Sequence, residues 1–222
     1  MQNDIKVTPI SHATMMLQWG DKVIYTDPLG GVEAFAGKPV PDVVLLTDIH
    51  GDHLDAETLQ AVVKDTTTTI MPQAVADELK MELPGTLIIL KNGETRTEQG
   101  FSIEAIPMYN IPESADAFHP KRRGNGYVVE REGKRVYISG DTSGIPEMRN
   151  LKNIEMAFIC MNLPYTMSVE EAAEAVLAFK PKVVTPYHYR GPDGLSDINK
   201  FKALVNAGDP GIKVALLDFY PN

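Results

Sequence analysis

A run of four apolar residues, Val43-Val44-Leu45-Leu46, breaks off into Thr47-Asp48-Ile49-His50-Gly51-Asp52-His53-Leu54-Asp55. An unbroken apolar strand is the mark of a strand buried on both faces, so the sheet that holds it is covered on both sides. The rest of the pattern agrees. Strand-like runs lie at Ile5 to Ile10, His12 to Trp19, Val23 to Thr26, Thr67 to Met71, Leu87 to Leu90, Glu94 to Glu98 and Phe101 to Ile106. They continue at Tyr127 to Arg131, Arg135 to Ser139, Ile154 to Met161, Val183 to Thr185 and Val214 to Phe219. Helical patterns begin at Asp55, Ala74, Ser168 and Asp197, with Ser168 and Glu171 spaced as a capping box. Asn92-Gly93, Gln99-Gly100 and Glu132-Gly133 are read as hairpin turns. Strands punctuated by helices in both halves predict two sheets covered by helices on their outer faces, an α/β layered sandwich.

Composition limits the class. With 43% hydrophobic and 23% charged residues over 222 positions, the chain can bury a core and is neither disordered nor repetitive. A single cysteine, Cys160, excludes a disulfide framework. Lys and Arg total 21 against 30 Asp and Glu, a formal charge of −9 that repels phosphate backbones and argues against nucleic-acid partners. No apolar run reaches the roughly 20 residues of a membrane span. Met1 to Ile5 has neither the basic nor the apolar region of a signal peptide, so the expectation is a cytoplasmic protein, or an exported one whose signal has been trimmed. Oligomeric state is left open.

The chemistry gathers after the apolar strand. In an extended segment alternate side chains share a side, so Asp48, His50 and Asp52 project together, while His53 at the turn into the helix points elsewhere. Four ligand-type side chains within six residues can serve two adjacent metal ions. Imidazole with carboxylate suits zinc, with manganese or iron as alternatives.

Asp48-x-His50-x-Asp52-His53 after a strand resembles the His-x-His-x-Asp-His signature of the metallo-β-lactamase superfamily, with Asp48 where the first histidine usually stands. Downstream, Tyr137-Ile138-Ser139-Gly140-Asp141-Thr142 is similar to the family's strand-Gly-Asp-Thr motif, and Val184-Thr185-Pro186-Tyr187-His188-Tyr189 to its strand-end histidine. The resemblance covers nearly the whole chain and implies one domain over residues 1–222 with a four-layer αββα sandwich. It implies Asp48 and His50 on one metal, Asp52, His53 and His188 on a second, and Asp141 bridging. The third histidine expected near Ala105-Ile106-Pro107 is missing. His119 is the preferred substitute and Asn110 the alternative.

Two ions sharing a water would make it a nucleophile near neutral pH, and the resemblance implies that Asp52 orients it and accepts its proton. His12 is read as a neighbour of the ligands, or as a structural histidine. Lys121, opening the Lys121-Arg122-Arg123 stretch, is a candidate for an anionic group, against the alternative of a solvated basic turn. Arg190 is a weaker candidate, and Tyr165 could line the pocket. Gly124-Asn125-Gly126 is expected to let a loop fold over the metals. Met156, Met161, Met167 and Cys160 are read as core. Within the superfamily, the chain looks most like the hydrolases related to ascorbate-phosphate lactonase and to the phospholipase D acting on N-acyl-phosphatidylethanolamine. That implies lactone, ester or phosphodiester hydrolysis of a small molecule, with β-lactamase activity a lesser choice. A non-catalytic metal-binding or sensory protein that kept the fold is the alternative.

Overall fold

The computed structural model describes residues 5–221, so the reading of Met1 to Asp4 lies outside the described residues. The first sheet runs β1 (Ile5–Ser11), β2 (Thr14–Trp19), β3 (Lys22–Thr26), β4 (Val43–Leu45), β5 (Thr68–Met71), β6 (Thr86–Ile89), in that spatial order. The second is built from β7 (Thr95–Glu98), β8 (Phe101–Met108), β9 (Gly124–Arg131), β10 (Lys134–Ile138), β11 (Met156–Cys160) and β12 (Val183–Tyr187). The short pair β13 (Arg190–Gly191) and β14 (Gly194–Leu195) follows, and β15 (Lys213–Val214) closes the second sheet, whose order is β15-β12-β11-β10-β9-β8-β7. Each sheet changes from antiparallel to parallel part-way: from β3 onward in the first, and from β10 towards β15 in the second.

Alternation along the strands of the first sheet divides their side chains between two cores. Met15, Leu17, Ile24, Val43, Leu45 and Ile70 point towards the second sheet. Met16, Val23, Tyr25, Val44 and Met71 point outward, where helices α1 (Gly31–Ala34), α2 (Ala56–Val62) and α3 (Gln73–Glu78) cover them. The second sheet is covered by α4 (Pro146–Arg149), α5 (Val169–Phe179) and α6 (Ile198–Gly208). This is the expected sandwich of two sheets between helices. Each large apolar side chain fully buried in it contributes about 1.5–3 kcal/mol.

Three readings of the sequence are corrected. Asn92-Gly93 does not turn a hairpin: β6 belongs to the first sheet and β7 to the second, so the turn carries the chain across. The closing strand shortens from Val214–Phe219 to β15, because beyond Ala215, whose amide still donates to the Val184 carbonyl, Phe219 is buried as packing and not in a ladder. Gly124-Asn125-Gly126 forms the start of β9 and not a loop. A Cβ at Gly124 would lie 2.7 Å from the Thr47 carbonyl oxygen, so glycine there lets β9 press against the exit of β4.

The capping box is half made. Ser168 Oγ accepts from the Glu171 amide, but the Glu171 carboxylate accepts from the Gly144 amide at 2.8 Å instead of returning to the cap. The helix thereby holds the segment that follows Asp141.

Candidate metal centre

The parallel strands deliver the site. Thr47 to His53 leave β4, Asp27 leaves β3, Ser139 to Asp141 leave β10, Asn162 lies just past β11 and His188 leaves β12. All are at carboxyl ends, where open α/β sheets carry their ligands. Gly140 has φ +60, and a Cβ there would stand 2.6 Å from Met108 Sδ, so the turn that presents Asp141 needs glycine. The Gly140 amide donates to the Tyr187 hydroxyl at 2.9 Å, which ties this turn to the strand end that presents His188. His12, Asp27 and His188 themselves adopt φ of 55°, 41° and 47°, a backbone region that residues with a Cβ seldom occupy.

The segment after β4 is not extended throughout. Amides of His53 and Leu54 both donate to the His50 carbonyl at 2.9 Å, and this turn separates Asp52 from Asp48 and His50. Asp48 Oδ2 lies 2.9 Å from His50 Nδ1 and 3.9 Å from His119 Nε2, which forms one group. The deeper group is His53, Asp141 and His188. His53 Nε2 stands 3.1 Å from His188 Nε2, and the Asp141 oxygens stand 3.4 Å from each ring. Asp52 faces this pair from the solvent side, 3.4 Å from His188 Nε2 and 3.9 Å from His53 Nε2. His119 Nε2 approaches Asp141 Oδ2 to 3.2 Å, linking the two groups.

The ring of His53 is held from behind. Its Nδ1 donates to Asp27 Oδ2 at 2.8 Å, and the Thr47 hydroxyl and amide also donate to that buried carboxylate. A proton kept on Nδ1 turns Nε2 towards His188 and Asp141, the arrangement in which a carboxylate behind an imidazole orients it for a metal. Burial favours the neutral His53 ring, but Asp141 and Asp27 offset it and raise the pKa well above the usual value. An ion entering there displaces a proton, so its uptake weakens as pH falls. For Asp141, burial alone would raise the carboxyl, yet His188 and His53 hold it well below the ordinary range.

Four buried polar atoms at the centre, both nitrogens of His119, Nδ1 of His188 and Oδ1 of Asp141, have no hydrogen-bond partner. Buried groups of this kind are rarely left so, and two imidazole nitrogens aimed at one carboxylate form a donor set for a divalent ion. The residues therefore fit a metal.

A sequence family now accounts for the constellation: the family model described as a beta-lactamase superfamily domain matches residues 6–188. The chain belongs to that family. Among relatives of this superfamily chain, a UPF0173 metal-dependent hydrolase of Thermococcus onnurineus is 32% identical over 211 residues, covering 90% of this chain and 92% of the relative. A crystal structure of a proposed metal-dependent hydrolase from Parabacteroides distasonis is 40% identical with a TM-score of 0.83, covering 96% and 92%. A metallo hydrolase from the archaeon Ignicoccus hospitalis superposes with a TM-score of 0.80 at 24% identity, covering 96% and 95%, and shows the fold alone. The two-sheet architecture is thus that of the metallo-β-lactamase superfamily.

Several expected residues fall elsewhere. Asn110 does not face the centre: Oδ1 accepts from the His119 amide at 2.8 Å and Nδ2 donates to the Tyr165 carbonyl at 2.9 Å, so it shapes the loop that carries His119. Lys121 pairs with Glu113 at 2.8 Å and lies over the Tyr109 ring, which makes it part of a basic turn and not of the cavity wall. Arg190 lies over the Tyr220 ring, 4.2 Å from its centroid, also outside the cavity. Tyr165 does line the cavity of about 290 Å³, with Phe118, Asn162, His50, Asp52, His119 and Asp141. His12 Nε2 donates to Asp52 Oδ2 at 3.1 Å while its Nδ1 accepts from the Tyr220 hydroxyl at 2.7 Å, which places the ring behind the centre as a neighbour of its ligand-type residues.

Sequence reasoning missed Asp27 and Arg123. Asp27 directly follows the Val23 to Thr26 run, and its position at a strand end beside β4 is the signal that could have found it. Arg123 passed as one of three basic residues, yet its guanidinium bonds both oxygens of Asp48, at 3.0 and 2.9 Å.

Cys160 is fully buried beneath the site, where burial and the nearby Asp141 charge push its thiol up to about 12. The native protein should leave an aromatic disulfide reagent unreacted for hours and titrate one thiol once unfolded. A fast reaction of the folded chain would contradict this burial.

Proposed function

We propose that the chain is a metal-dependent hydrolase acting on a lactone, ester or phosphodiester bond of a small, anionic substrate. The observation that carries the reading is the buried set of His53, His188 and Asp141, whose Nε2 atoms and carboxylate oxygens converge within 3.1 to 3.4 Å of one another where Asp52 opens to solvent. These four residues would hold a divalent ion, zinc first by donor chemistry, with manganese or iron as the alternatives. Whether the centre takes one ion or two depends on the second group, Asp48, His50 and His119.

A bound divalent ion supplies a Lewis acid that lowers the pKa of water towards neutrality and polarises a carbonyl or phosphoryl oxygen. The protein supplies the rest. Asp52, about half exposed at the cavity floor, accepts the proton of the attacking water at a carboxylate oxygen. His12 donates to Asp52 Oδ2 and fixes which oxygen is free. Phe118 and Tyr165, ring edge to face with centroids 4.9 Å apart, form an apolar wall that orients the organic part of the substrate and excludes water. With Lys121 engaged by Glu113, an anionic group is drawn by the cationic centre and not by that lysine.

The test is a panel of generic lactones, carboxylic esters and phosphodiesters, assayed after exhaustive chelation and again after adding back zinc, manganese or iron. At least one class is expected to turn over only with metal. Turnover that survives complete metal removal overturns the reading, and tight metal binding with no turnover on any class favours a metal-sensing role.

A further inference from the structure

The second group carries a feature that the His-x-His pattern does not anticipate. Asp48 is fully buried, and a buried carboxylate needs a cation. Arg123 supplies one in fork geometry: Nε donates to Oδ1 at 3.0 Å and Nη2 to Oδ2 at 2.9 Å. The same Nη2 lies 3.2 Å from His50 Nε2, while His50 Nδ1 lies 2.9 Å from Asp48 Oδ2. Both oxygens of Asp48 and Nδ1 of His50 are therefore engaged, and the guanidinium stands against His50 Nε2. The nitrogens of the third member, His119, are without partners, and its Nε2 lies nearer Asp141 Oδ2, at 3.2 Å, than Asp48 Oδ2, at 3.9 Å.

The guanidinium is also held in place. Its Nη2 donates to the Phe118 carbonyl, and two residues on, the Asn125 amide donates to the Thr47 carbonyl at 3.0 Å. That bond sets the start of β9 against the residue before Asp48, so the strand register itself puts Arg123 beside the carboxylate. A divalent ion placed among Asp48, His50 and His119 would have to displace a bidentate arginine or sit against its charge in a buried site, where like charges repel strongly.

We propose that Arg123 takes the place of a second metal ion, its guanidinium neutralising Asp48 and closing the Asp48, His50 and His119 group, so that the centre binds one divalent ion. The inference rests on the metal reading above and adds the count of ions and the residue that sets it. Replacing a neutral histidine by aspartate at position 48 and adding an arginine leaves the charge of that half unchanged while removing its vacancy for a cation. The lasting positive charge is a side chain's and survives chelation.

Metal content by elemental analysis after saturation with zinc and removal of free ion is the measurement. Wild type is expected to retain about one ion per chain, Arg123→Met about two, and Arg123→Lys about one, since removing the guanidinium exposes a buried carboxylate to the second cation. Wild type retaining about two overturns the proposal, as does a folded Arg123→Met protein that still retains about one. Should Arg123→Met fail to fold, manganese-loaded wild type decides: an isolated-ion paramagnetic resonance spectrum supports the proposal, and a coupled two-ion spectrum overturns it. Wild type retaining no metal at all instead removes the metal reading beneath it, so the two failures are distinct.

Discussion

Replacing Asp141 by alanine should lower kcat/KM on the order of 1,000-fold, about 4 kcal/mol of barrier, and strip most of the metal from the purified protein. Asp141 is a buried carboxylate that faces three rings, standing 3.4 Å from His53 Nε2, 3.4 Å from His188 Nε2 and 3.2 Å from His119 Nε2. Residues that only orient a ligand from behind are worth about 10–100-fold in metal affinity, so a carboxylate at the point of convergence should exceed that range. Two readouts separate loss of metal from loss of fold. Metal content should fall together with turnover, while the circular dichroism of Asp141→Ala stays that of wild type. Asp141→Asn keeps the shape and removes the charge, and should behave nearly as badly. An alanine variant that keeps both its metal and its activity would place the centre elsewhere.

The second large effect belongs to Asp27. Its carboxylate is fully buried and accepts from the Thr47 amide, the Thr47 hydroxyl and His53 Nδ1 at 2.8, 2.6 and 2.8 Å. Asp27→Ala strands all three donors and leaves the raised charge of His53 facing Asp141 alone. Removing one partner of such a buried pair costs about 3–5 kcal/mol, so a large fall in the unfolding midpoint is expected. Asp27→Asn retains an acceptor but loses the charge that favours a proton on Nδ1. It should fold, while its metal affinity drops by about 10–100-fold. Calorimetry and metal titration on the two variants measure these terms separately, and an Asp27→Asn protein with unchanged affinity would show that His53 needs no such support.

Much of this was legible in local pattern. The apolar run before Thr47 announced a buried strand and its exit, and the three motif segments brought forward His50, Asp52, His53, Asp141 and His188, which the fold then draws to one edge. The layered architecture followed from runs of period two separated by helical patterns. What stayed hidden depends on contacts distant in sequence. Arg123 meets Asp48 across 75 residues and His53 meets Asp27 across 26, and neither residue differs locally from an ordinary basic turn or strand end. Asn92-Gly93 was misread because turn chemistry specifies a change of direction, not which sheet receives the next strand. Asp52 was misplaced by assuming extended backbone through Gly51, where the chain turns under the His50 carbonyl.

The left-handed backbone at His12, Asp27 and His188 has a cost of its own. Each is a conformation that glycine would adopt freely and a side chain occupies only under constraint, at about 1–3 kcal/mol apiece. Glycine at His12 or His188 would relieve that strain while deleting a group that lines or braces the centre, whereas at Asp27 the buried hydrogen bonds lost would outweigh the relief. Selection for durability and selection for chemistry therefore pull in opposite directions at His12 and His188, and together at Asp27. A hardened descendant of this chain would be expected to carry its improvements in the helical outer layers and leave the strand exits as they are.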